Sequence, residues 1–187
     1  GSEMCIRDRF PTGRRTSAAR QRELLDWADA GGAWIVEHDV LGEIVHDNAA
    51  PPPLAAADRS GRVLWVGSFG ELTFPSLRLG CAVLPEALVD TFAAVRGLMG
   101  DHNPVVMQAA LAGFIDGGHL AGHLRQVRSL YRERRDALAA ALARHLPGQP
   151  VGPLAGGLHA CLPLDGRQDD LALARALQAR GVGALPL

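Results

Sequence analysis

A short apolar run, A-W-I-V at residues 33–36, leads straight into the polar triplet Glu37, His38 and Asp39. It is too short for a helix and lacks the alternation of a half-solvated strand, so it reads as a strand buried in a parallel sheet. The polar residues then fall at its carboxyl end, where open α/β sheets place their ligands. A second run, V-L-W-V at 63–66, delivers Gly67, Ser68, Phe69, Gly70 and Glu71 to a loop. Before the first run, Thr16 or Ser17 supplies an N-cap, Leu24, Leu25, Trp27 and Ala28 an inner face, and Gly31 with Gly32 a stop, which together predict a helix. Between the strands, residues 48–58 form a connector stiffened by Pro51, Pro52 and Pro53.

Further along, residues 79–84 predict a third strand that stops at Pro85. A helix comes next with Leu88, Phe92 and residues 95–99 as its apolar positions, and Asn103 with Pro104 predicts the N-cap and first turn of another that ends near Gly117. Leu120, Leu124, Val127, Tyr131, Leu138, Leu142 and Leu146 trace the stripe of a long amphipathic helix whose other face is arginine-rich and solvated. After the linker at 147–153 the texture changes to a strand at 156–164, a helix at 169–179 and a strand at 182–187, the mark of a smaller second unit. Residues 1–9 carry no apolar periodicity; they read as a join foreign to the rest of the chain and are set aside from fold reasoning.

The formal charge of -1 gives no electrostatic footprint for nucleic acid or an anionic membrane, and no apolar run approaches the roughly 20 residues of a spanning helix. A cytoplasmic location is expected. Cys5, Cys81 and Cys161 are far apart with no C-x-x-C spacing, which argues against a disulfide framework or a zinc site. His119 and His123 stand one helical turn apart without the acidic residue of an H-E-x-x-H motif, so they read as helix-surface histidines and no metal is expected. Nucleophile-elbow, dinucleotide-binding and phosphate-loop motifs are absent. All 19 basic side chains are arginines, and the chain has no lysine. Guanidinium stays charged at every accessible pH and cannot form an imine.

Residues 66–80, V-G-S-F-G-E-L-T-F-P-S-L-R-L-G, resemble the cofactor-lysine segment of fold type I pyridoxal-phosphate-dependent aminotransferases (class I/II), most closely the aminotransferase-like domain of MocR-type regulators in the GntR group. F-P-T-G at 10–13, residues 34–46, residues 118–138 and the segments 156–164 and 181–187 agree with the family in the same order. The resemblance implies an α/β three-layer sheet of the aminotransferase large domain, present as its second half over 10–146, and the start of a small α+β C-terminal domain over 147–187. It also implies that the family's first half, its terminal carboxylate-binding arginine and the regulator's DNA-binding domain lie outside this chain, which is then a fragment.

Carried over by position, the resemblance puts Glu71 where the family has its Schiff-base lysine and Gly70 where it has a phosphate-contacting serine. Ser68 and Arg78 match residues that hold the cofactor phosphate. His38 replaces the aspartate that pairs with the pyridine nitrogen, and Val40 a tyrosine near the cofactor oxygen. Asp39 would serve instead of His38 only after a one-residue slip, which turns a strand side chain to the other face. The expected cofactor-binding residues are therefore Ser68, Arg78 and His38, with no catalytic residue and no covalent link to pyridoxal phosphate. The expected role is a degenerate effector and dimerisation domain of a transcription regulator, a homodimer when intact, with no nucleic-acid contact from this segment and a small amino-acid or phosphate-bearing ligand. The alternatives are an aminotransferase-family enzyme that binds the cofactor non-covalently, and a remnant that binds nothing.

Overall fold

The computed structural model describes residues 16–46, 52–100, 103–152 and 154–186, and the backbone of 2–6. The F-P-T-G block at 10–13 and the first part of the proline connector lie outside the described residues. Among the described residues four strands form one sheet in the order β1 (Ser2–Ile6), β2 (Trp34–Asp39), β3 (Val63–Ser68) and β4 (Gly80–Val83). The first three run parallel and β4 returns antiparallel to β3. Residues 1–9, set aside on their sequence, thus contain a strand: Ser2 to Ile6 pair with Trp34 to His38. Parallel pairing is made by backbone groups, so the edge of β2 can order a segment whose side chains announce nothing.

Helix α1 (Ala18–Gly31) begins and ends as its sequence predicts. The Ser17 hydroxyl accepts from the Arg20 amide at 3.2 Å, and Gly32 closes the helix at φ 60. Ala28 packs with Ala33, Ile35, Leu54 and Val63 in the core, with Leu24 and Leu25 at its margin. Trp27, expected on this inner face, is 42% exposed. Burial on α1 follows Gln21 and Ala28, spaced by seven residues, and at 3.6 residues per turn position 27 rotates off that line.

Within β2, Ile35, Glu37 and Asp39 are buried while His38 is exposed. A carboxylate in a core needs partners. Glu37 finds them in the short helix α2 (Leu54–Ala57), accepting from the Leu54 amide at 2.7 Å and the Ala55 amide at 3.0 Å. These are amides that the first turn of a helix leaves without an internal acceptor. The proline connector therefore holds a helical turn that its sequence does not predict.

Helices α3 (Glu86–Met99), α4 (Val105–Asp116) and α5 (His119–His145) come next, and α6 (Asp170–Gln178) is capped by the Asp169 side chain. Among their residues none is fully buried; Leu98, Met99, Val105 and Val106 are 88%, 74%, 77% and 78% exposed. The N-cap predicted at Asn103 falls instead at Pro104, with no side-chain cap bond. Among the described residues the segment predicted as a strand at 156–164 makes only the bridge Val45 to Gly156. Gly157 at φ 72 breaks its extended course. The predicted strand near 182 likewise has no ladder among the described residues.

Glu37→Ala should destabilise the protein by about 3 kcal/mol, because two charge-assisted bonds vanish and two helix-start amides lose their acceptor. Glu37→Gln keeps one acceptor and should fall between. Urea unfolding of the three proteins checks the order.

Candidate functional site

The carboxyl ends of β2 and β3 meet the loop that joins β3 to β4. His38 lies opposite Val66 and Asp39 opposite Gly67 in the parallel register. Period-two alternation then puts His38, Val66 and Ser68 on one face of the sheet and Asp39, Trp65 and Gly67 on the other. The indole of Trp65 donates to Asp39 at 3.0 Å and covers Gly67 so closely that a Cβ there would come within 2.3 Å of the ring. Asp39 is thereby committed to the face away from His38, and a slip to bring it round would break this bond.

The loop is closed at its feet. Ser68 lies opposite Gly80, and the Phe69 amide donates to the Leu79 carbonyl at 2.9 Å. Inside, the Thr73 amide and hydroxyl both donate to the Phe69 carbonyl, at 3.0 and 2.7 Å, and Pro75–Leu77 forms one 3-10 turn. Ser68 and Arg78 therefore enter and leave the loop at the same mouth. The Ser68 hydroxyl accepts from the Gly70 amide at 3.2 Å. Arg78 has a left-handed backbone at φ 49, which costs an L-residue about 1–2 kcal/mol. Its carbonyl accepts from the Asn103 side-chain amide at 3.4 Å, and Asn103 in turn accepts from Arg96 at 3.3 Å. Asn103 thus steadies the foot of the loop where the sequence suggested a helix cap.

Glu71 sits exposed at the loop's turn. Space does not demand glycine beside it: a Cβ on Gly70 would meet the Pro75 carbonyl and the Ser68 hydroxyl at 3.6 Å, an ordinary contact. Across the sheet, Cys81 faces Gly67 in register, and burial raises its pKa, which keeps it a thiol and a poor nucleophile at neutral pH. The loop and its surroundings offer a hydroxyl, a guanidinium, an imidazole and a carboxylate, and no lysine amine. Among the described residues no group of three or more His, Cys, Asp or Glu is placed to hold a metal.

His123, read from sequence as a helix-surface residue, reaches the loop. Its Nε2 lies 2.9 Å from the Leu72 carbonyl. A carbonyl can only accept, so this nitrogen carries the proton and the bond pins the turn beside Glu71 to α5. His119 instead lies against the Phe114 ring, centroids 5.7 Å apart. The spacing of the two histidines was visible, but which of them would meet a loop 51 residues earlier was not.

Residues 10–187 match the aminotransferase class I and II family model, and the chain belongs to this family. The chain is 35% identical over 179 residues to the probable rhizopine catabolism regulatory protein MocR of Rhizobium meliloti, covering 95% of this chain and 36% of that protein. It is 31% identical over 176 residues to the HTH-type pyridoxine biosynthesis transcriptional regulator PdxR of Corynebacterium glutamicum, covering 94% and 38%. Among solved structures it resembles LysN, the α-aminoadipate aminotransferase of Thermus thermophilus complexed with N-(5'-phosphopyridoxyl)-L-leucine, at a TM-score of 0.82, 29% identity, and coverage of 94% of this chain and 46% of that one. The fold is that of part of the fold type I aminotransferase large domain, and the chain spans under half the length of each of these proteins.

His123→Ala should release the loop without unfolding the sheet. Amide exchange of residues 70–73 should quicken roughly 5- to 10-fold, the equivalent of about 1 kcal/mol for one lost hydrogen bond, while that of α1 stays unchanged. Hydrogen-exchange mass spectrometry reads both segments at once.

Proposed function

We propose that this chain is part of the effector and dimerisation domain of a MocR-type transcription regulator in which the aminotransferase site has lost its chemistry. In this reading residues 10–146 are the second half of the large domain with its connecting helix, 147–187 begin the small domain, and the intact parent is a cytoplasmic homodimer. The observation that carries it is Glu71 at the loop turn of a chain without lysine. Pyridoxal phosphate, when bound in this family, supplies an aldehyde and an electron-withdrawing ring. A carboxylate cannot condense with that aldehyde, and its charge opposes a phosphate brought to the same loop. His38 in place of an acid removes the partner that would keep a pyridine nitrogen protonated. The residues present therefore do not fit a covalently held cofactor.

A second reading is favoured by the closed feet of the loop, which give Ser68 and Arg78 a common mouth. A hydroxyl and a planar guanidinium suit a phosphate. In that reading the cofactor is held without a covalent bond, beside His38.

The chain with its amino terminus acetylated, mixed with pyridoxal phosphate, should show no protein imine absorbance, and borohydride should fix no cofactor to it. A borohydride-stable adduct overturns the proposal. Under the second reading, phosphate and pyridoxamine phosphate should raise the melting temperature, and Arg78→Gln should abolish the shift.

A further inference from the structure

We propose that the cleft between α5 and the segment 154–160 binds a small organic anion, a carboxylate on a short apolar chain. Tyr131, Arg134, Arg135 and Leu138 all line this cleft. They are spaced at i, i+3, i+4 and i+7, so they share one face of α5. Across from them stand His46 and His159, with Gly156 and Gly157 forming a wall of bare backbone. The cavity measures about 190 Å³. Pockets for drug-sized ligands run to roughly 300–1,000 Å³, so this one admits only a small molecule.

Its charge is one-sided. Two guanidiniums line it beside two imidazoles, and no Asp or Glu does. Asp136, outside the lining, pairs with Arg135 at 2.7 Å from a side chain 61% exposed, and so offsets part of that one charge. Arg134 lies over the Tyr131 ring, 5.6 Å from its centroid, which holds the guanidinium plane in place before any ligand arrives. The ring of His46 is fixed by its Nε2 contact with the Gly157 carbonyl at 3.0 Å. The two guanidiniums favour an anion with a planar, two-oxygen head.

The floor is apolar. Leu138, Leu154 and Leu158 complete the lining. A bare phosphate would leave this surface wet, whereas a chain of a few methylenes would cover it, at about 0.8 kcal/mol for each buried CH₂. None of the lining residues is Ser68, Arg78 or Glu71, so the inference stands apart from the fate of the cofactor loop.

The full chain should be titrated with butyrate, with butyramide as its neutral counterpart and with inorganic phosphate, each titration read by amide NMR shifts. Butyrate should bind saturably and move the signals of Gly156, Gly157 and Leu158, while butyramide and phosphate bind at least about tenfold more weakly. Arg134→Gln, at an exposed position, should weaken butyrate at least about tenfold. Leu138→Asn should weaken butyrate and leave phosphate unchanged, which reads the apolar floor separately. Equal binding of butyrate and butyramide, equal binding of butyrate and phosphate, no saturable butyrate binding, or unaltered binding by a folded Arg134→Gln protein each overturns the proposal.

Discussion

One buried carboxylate decides how this sheet faces. Glu37, in the middle of β2, is pinned to the first amides of α2, and a buried charge so held cannot be turned outward without stranding both sides of the contact. Since strand side chains alternate, fixing Glu37 inward also fixes Ile35 and Asp39 inward and sends His38 outward. The Trp65 indole repeats the statement on β3 by tying Asp39 and covering Gly67. The identity of the residues at the open face, His38 and Ser68, thus follows from contacts made on the opposite one.

What the sequence revealed depended on how local the signal was. Helix α1 was legible because its cap, its apolar residues and its closing glycines lie within the same stretch of chain, and β2 and β3 because each is a bounded apolar run. The closed loop at 69–79 was legible through resemblance alone, for its feet are joined by pairing that no periodicity announces. Asn103 misled because asparagine before proline is a good cap, and only the folded chain shows its amide spent on the Arg78 carbonyl. The cleft on α5 was missed for a related reason: arginines on a long helix look like a wet face, and the Tyr131, Arg134, Arg135, Leu138 spacing gains meaning only once the 154–160 segment lies over it. Helix α2 and β1 left no usable pattern at all.

The loop after β3 keeps its closed shape in a chain whose 19 Lys/Arg positions are all arginine. The backbone of the loop after β3 is set by Phe69, Thr73, Leu77 and Leu79, and the Glu71 side chain takes no part in those bonds. A change of side chain at position 71 therefore costs little in folding. That separation leaves the geometry of the loop independent of the side chain at its turn.

The uncovered apolar residues of α3 and α4 carry a consequence for handling the molecule. Surfaces that present Leu98, Met99, Val105 and Val106 to water gain free energy whenever two of them meet. Encounters between copies scale with the square of protein concentration, whereas folding does not, so the yield of dispersed material falls as the solution is made stronger. Dilution, rather than cooling or salt, is the first remedy that this geometry recommends.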